Sequence, residues 1–285
     1  MRCQPVSRPL WREAVSTAND PNSFDAGDAA AEREKRWTPM TTPLESVTLP
    51  LDADAGTIAE MVKAQGIAVL PRYFTAEIIA GLNAEFDRFF DDAKARGDTS
   101  LIERAEGITV PAVRNALDAA RYPFTTEVFA RQVMREVSEH YLGTKDIGLN
   151  HQIYVNLNRG TDAPVNQLPF LPHFDKISTL KFFVYLTDTT RESGAMGADV
   201  GSHHANRVTR DEAMAREGKT VAIENLVPDA KMTSIDGPAG TMFIFDTDVT
   251  HAAGFVRKGN VRRIMRGHTR TMDVLRAHRL EHQAA

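Results

Sequence analysis

The chain has 285 residues, 42% of them hydrophobic and 25% charged, with a formal net charge of −4 and an isoelectric point near 6.2. That apolar share can build a sizeable core, and the mild acidity lacks the basic excess that draws a protein to nucleic acid or anionic lipid, so neither partner is expected and a small molecule is. The single cysteine, Cys3, excludes an internal disulfide or a cysteine-built zinc site, so any metal must rest on His, Asp or Glu.

No stretch approaches the roughly 18 uninterrupted apolar residues of a membrane span, and the N-terminus lacks the apolar centre of a secretory signal, so a cytoplasmic location is expected. Residues 1–45, including "TANDPNSFDAGDAAAEREKR", hold few apolar anchors and cannot bury enough surface to offset chain entropy. They read as a disordered or loosely attached arm, with residues 46–285 as a single domain.

"DAGTIAEMVKAQG" sets Ile58, Met61 and Val62 on one helical face and stops at Gly66, and "IAVLPRYF" follows as a short strand. A second helix starts at Thr75, carries Ile78, Ile79, Leu82, Phe86, Phe89 and Phe90 at spacings of three and four, and ends near Gly97. Residues 98–122 show little periodicity, and 123–142 return to helical spacing through Phe129, Val133, Val137 and Tyr141. These helices are expected to cover one face of a sheet. After Gly143 the period becomes two: "HQIYVNLN" alternates Ile153, Val155 and Leu157 with the polar set Gln152, Tyr154, Asn156 and Asn158. Strand-like runs follow at 181–188, 219–224, 241–246 and 261–270, with a charged helical insertion near 209–217. Helices first and strands after indicate an α+β fold whose sheet closes or folds on itself to protect its edges.

One triplet carries chemistry. In "PHFD", His173 and Asp175 stand two apart at a strand end, so an imidazole and a carboxylate can bind adjacent positions on one ion. Nine histidines and 38 acidic residues would give about one such triplet by chance, so a third ligand has to come from elsewhere. The candidate is His251, at the end of "GTMFIFDTDVTH"; the alternative is a surface histidine at a strand end. Eleven residues further on, Arg262 stands in "GNVRRIMRGHTR", where a guanidinium on a strand can grip a carboxylate through two parallel hydrogen bonds. Arg263 faces the other way and is the runner-up, unless both arginines merely charge an exposed edge.

In their order these parts, from about residue 57 to 270, resemble the phytanoyl-CoA dioxygenase family of Fe(II)/2-oxoglutarate-dependent oxygenases. The pieces are "GIAVLPRYFT", the H-x-D of "PHFD", "LTDTTRESGAMGADVGSHH", "AGTMFIFDTDVTH" and the Arg eleven positions past the distal His. The resemblance implies a double-stranded β-helix, a jelly-roll or cupin-like barrel, flanked by N-terminal helices. It implies His173, Asp175 and His251 as catalytic Fe(II) ligands and Arg262 as the anchor of 2-oxoglutarate. It also implies a dioxygenase that uses O2 to hydroxylate an unactivated C–H bond of a small molecule, releasing succinate and CO2. The chain departs from the family pattern at Val200, where Pro often precedes Gly-Ser-His, and at Ala253, where a Ser often follows the distal His. Asp175 keeps the carboxylate that a halogenase would replace by a small residue.

Two other readings compete: a cupin-like metalloenzyme without 2-oxoglutarate, which has no need of Arg262, and a catalytically silent ligand-binding barrel. Candidates for the cavity wall are Gln152, Tyr154, Asn156, Asn158 and Lys181, with Arg114 and Arg121 as possible anion holders. His203 and His204 line the mouth of the site or stabilise a turn. His140, His268, His278 and His282 read as structural or solvent-exposed.

Overall fold

The computed structural model describes residues 42–162, 168–217 and 225–277, all within one unit, Arg36–Ala285. The arm expected over 1–45 lies almost wholly outside the described residues, as do the strand-like run 219–224 and both His278 and His282. At the boundary, Leu44–Val47 form one turn of 3-10 helix.

Helix α1 (Ala55–Gln65) starts where the Asp54 carboxylate accepts the Thr57 N–H at 2.7 Å, and ends at Gly66, whose φ of 78° few other residues tolerate. Strand β1 (Ile67–Leu70) follows at once and is buried throughout. Helix α2 (Ala76–Ala95) is capped by Thr75 and buries Leu82, Phe86, Phe89 and Phe90, the expected apolar stripe. From the same helix, buried Glu85 accepts the backbone N–H groups of Phe124 and Thr125, both at 2.8 Å, and so caps helix α3 (Pro123–Val128).

Two expectations are corrected here. Residues 98–122 contain a hairpin, β2 (Ile102–Arg104) with β3 (Gly107–Val113). Its pattern is faint because β2 is exposed on both faces and Pro111 sits in β3, beyond the last residue that β2 pairs. Residues 123–142 are two helices rather than one, since α3 stops before α4 (Gln132–Leu142) begins.

Strand β4 (Ile147–Arg159) buries Ile153, Val155 and Leu157 against these helices, as its alternation requires. Then come β5 (Leu180–Tyr185), β6 (Gly197–Asp199), α5 (His203–Glu217), β7 (Thr233–Ser234), β8 (Met242–Asp246), β9 (Thr250–Ala252) and β10 (Val261–Thr271). The expected insertion at 209–217 is thus the second half of a helix that starts at His203.

The larger sheet runs β1-β8-β5-β10-β4-β3-β2, and the smaller one β7-β6-β9, with every pairing antiparallel. His173 extends the smaller sheet through bridges to His251 and Leu226. After β4 the chain passes to the smaller sheet at His173, back for β5, over for β6 and β7, back for β8, over for β9 and back for β10. That alternation is the winding of a double-stranded β-helix flanked by N-terminal helices. One face of the larger sheet packs on the helices; the other turns inward with Phe183, Tyr185, Phe243 and Phe245. Among the described residues, no helix is long and apolar enough to cross a membrane.

Candidate metal centre

His173 and His251 are directly opposed in the smaller sheet. The His173 N–H donates to the His251 carbonyl at 3.0 Å, and the His251 N–H returns to the His173 carbonyl at 2.7 Å. Opposed residues of an antiparallel pair point to the same side, which brings the two ring centroids to 4.5 Å. Each Nδ1 lies against a backbone carbonyl, Leu171 at 2.7 Å and Val249 at 2.8 Å. A carbonyl only accepts, so each Nδ1 carries the proton and each Nε2 keeps a free lone pair.

Asp175 is brought alongside by its own N–H, which donates to the Thr247 carbonyl at 2.9 Å. Its Oδ1 stands 3.8 Å from the His173 Nε2 and 3.6 Å from that of His251, and the three ligand atoms lie within 4.8 Å of one another. Its Oδ2 accepts the Lys181 ammonium at 2.7 Å. One carboxylate oxygen is thereby committed and the other faces the imidazoles.

The protonation states suit metal binding. Burial pushes His251 down to about 3 and lowers His173 as well, so both imidazoles are neutral at neutral pH. Burial alone would raise Asp175, but the Lys181 ammonium and His251 outweigh it and hold the carboxyl well below the usual range. Two neutral imidazole nitrogens and one anionic oxygen on one side of an ion form the facial donor set that leaves positions open for other ligands. The chemistry of the donors fits a divalent transition metal.

Arg262 lies on the interior face of β10, opposite Asn158 of β4. It is buried, donates to the Gly194 carbonyl and, at 3.0 Å, to Asn158 Oδ1, and its Nε is shielded with no partner. No carboxylate among the described residues pairs with it, and burial pushes it down to about 10, so it stays charged at neutral pH. Arg263 turns to the helices, with Asp87 at 3.0 Å and the Phe86 ring at 4.9 Å.

The remaining candidates divide. On the interior face are Asn156, donating to Thr109 at 2.6 Å, Tyr154, donating to Gln152 at 2.9 Å, and Lys181. Arg121 is instead bound to Asp92 at the surface, and Arg114 donates to the Leu149 carbonyl at 3.3 Å. His203 reaches the Lys63 carbonyl at 2.9 Å and ties α5 to the end of α1, with His204 beside it. His140 is exposed. His268 is neither exposed nor on the helix side: it is buried on the interior face, opposite Lys181 and 4.6 Å from the Tyr154 ring. Arg266 and Arg270 share that face and were not among the candidates. The signal was available, because counting in twos from Arg262 reaches 264, 266 and 268, although a bulge between His268 and Arg270 interrupts the register.

The family model for phytanoyl-CoA dioxygenase matches residues 62–264. The chain belongs to that family. No protein with a curated description matches the sequence. Among solved structures, the non-heme α-ketoglutarate-dependent epimerase SnoN from nogalamycin biosynthesis is 15% identical, with a TM-score of 0.55 over 76% of this chain and 82% of its own. EctD from S. alaskensis, solved with 2-oxoglutarate and 5-hydroxyectoine, is 16% identical, with a TM-score of 0.56 over 82% of this chain and 83% of its own. AviO1 from Streptomyces viridochromogenes Tue57 is 13% identical, with a TM-score of 0.50 over 76% and 94%. At such identities these neighbours bear on the fold, which this member of the phytanoyl-CoA dioxygenase family shares with them.

Proposed function

We propose that the protein is an Fe(II)- and 2-oxoglutarate-dependent dioxygenase that hydroxylates an unactivated C–H bond of a small molecule in the cytoplasm, releasing succinate and CO2, with residues 46–285 as its one catalytic domain. The observation that carries this reading is the convergence of His173, Asp175 and His251 in a barrel that also holds a buried guanidinium, Arg262, with no carboxylate partner among the described residues. A cupin-like metalloenzyme without a dicarboxylate cosubstrate gives no reason for that guanidinium, and a silent barrel gives none for the ligands. Two structural neighbours supply a parallel: SnoN in complex with Fe3+ and α-ketoglutarate, and EctD with 2-oxoglutarate.

On this reading His173, His251 and Asp175 would hold the iron, the two imidazoles by their free nitrogens and Asp175 by its carboxylate. When bound, iron and 2-oxoglutarate supply the oxidation, with O2 as co-reactant. The chain's own residues do the rest. The backbone carbonyls of Leu171 and Val249 fix the imidazole tautomers. Lys181 occupies Asp175 Oδ2 and favours a single-oxygen ligand, which keeps positions open. Arg262, steered by Asn158 and the Gly194 carbonyl, receives the distal carboxylate of 2-oxoglutarate, and the aromatic wall of Phe183, Phe243 and Phe245 excludes water.

The test is anaerobic addition of Fe(II) and 2-oxoglutarate to purified protein. A weak visible charge-transfer band is expected, absent in His173→Ala and Asp175→Ala. Arg262→Ala should raise the 2-oxoglutarate concentration needed by about tenfold or more, the strength of a two-point charged contact. Arg263→Ala should leave it unchanged. Succinate release across a panel of small metabolites, with product mass, then separates hydroxylation, which adds one oxygen, from epimerisation, which adds none. No band with the unaltered protein would defeat the reading.

A further inference from the structure

The interior holds more positive charge than the proposed cosubstrate needs. Arg266 lies over the Tyr154 ring at 4.7 Å and the Phe183 ring at 5.6 Å. Its Nε is shielded and unpartnered, and it makes no hydrogen bond or ion pair among the described residues. Arg270 uses its Nε on the Thr179 hydroxyl at 2.8 Å and pairs with no carboxylate. Between them in the chain, His268 leaves a shielded Nε2 without a partner. Among the described residues, Asp175 is the one carboxylate whose charge acts on either arginine, and it is already bonded to Lys181.

Arg266 and Arg270 keep part of their surface open, and a charge held inside a barrel without a counter-charge is kept where a ligand can enter and supply the opposite sign. The 2-oxoglutarate anchor does not account for it, because Arg262 is turned to the Gly194 carbonyl and Asn158, whereas Arg266 lies against Tyr154 and Phe183 and Arg270 against Thr179, on the side where Asp175 acts on both.

We infer that Arg266 and Arg270 form a second oxyanion subsite, beside the metal centre, that holds a carboxylate, phosphate or sulfate group of the substrate. The inference deepens the proposed function by assigning the substrate to anionic small molecules. It also gives the arginine beside the rings a purpose: a guanidinium packed against two rings has fewer orientations open to it and can present N–H groups to two oxygens of one anionic group.

The experiment is calorimetry on the metal-free protein with inorganic phosphate, sulfate and acetate as probes, alongside thermal melting. One equivalent of at least one probe should bind, and Arg266→Met should weaken it by about tenfold or more, with Arg270→Met also weakening it. Without anion, Arg266→Met should melt at or above the unaltered protein, since it removes an uncompensated charge, and phosphate or sulfate should no longer raise its melting temperature. The 2-oxoglutarate band of Arg266→Met should match that of the unaltered protein. The inference is overturned if no probe binds, if Arg266→Met binds as well as the parent, if it melts lower than the parent without anion, or if it loses the 2-oxoglutarate band. Should the unaltered protein give no such band while anion binding still depends on Arg266, the cosubstrate reading fails and the subsite stands.

Discussion

At the scale of single residues, Asp175 faces two claims at once. Its Oδ1 looks at two imidazoles and its Oδ2 holds Lys181 at 2.7 Å. Without a metal, the ammonium is the main charge that keeps this shielded carboxylate ionised, so Lys181→Met should destabilise the metal-free protein by about 2–3 kcal/mol, somewhat below the usual loss for a fully buried pair because Asp175 retains some exposure. A divalent ion supplies the missing charge, so adding Mn(II) or Zn(II) should restore most of the lost melting temperature. Equal losses with and without metal would show that Lys181 acts on packing alone. The pair Arg262 and Arg263 shows what one residue of register decides: the first enters the barrel and the second meets Asp87 under the helices. Period-two counting separates them from the sequence alone, whereas the choice of the Asp175 oxygen depends on Lys181, six positions away, and required the fold.

At the scale of elements, α5 is fastened to the turn between β8 and β9, and His251, a proposed metal ligand, lies just beyond that turn. Asp248, fully buried, accepts from Ser178 at 2.7 Å, from Arg207 at 2.9 Å and from Arg210. Its carbonyl accepts Asn206 at 2.8 Å, and the next carbonyl, Val249, orients His251. Asp248→Ala should therefore cost about 3 kcal/mol in urea unfolding, the scale of a broken buried pair, and should weaken metal binding through His251. A stability loss with unchanged metal affinity would uncouple the helix from the centre. The elements legible in the sequence are those with one clean period: α1 and α2 each carry an apolar stripe, β4 alternates over 152–158, and β10 alternates over 262–268, ahead of its bulge. Those left unread are short or two-faced. Strand β2 buries nothing, and β6, β7 and β9 have three residues or fewer, too few to display a period. His173 joins the smaller sheet by isolated bridges alone, so no local pattern announces it.

For the molecule as a whole, acid is the condition to which this interior is most sensitive. Burial lowers His173, takes His251 down to about 3 and holds His268 well below its ordinary range. In the unfolded chain each titrates near 6.5, so below that pH, and for His251 down to about 3, the unfolded state binds protons that the folded state refuses, and stability falls as pH falls. The loss approaches about 1.4 kcal/mol per pH unit for each such imidazole, so the urea midpoint should drop steeply from pH 6.5 to 5, and less steeply in His268→Gln. A flat profile across that interval would contradict the burial of these rings. The whole-molecule charge of −4 foretold none of this, because a net charge does not say which groups the fold buries. The paired amides and carbonyls of His173 and His251 have a further consequence. Main-chain bonds set the gap between the two rings, so the socket is cut before any ion arrives, and one metal can leave and another enter while the backbone around them stays as it was.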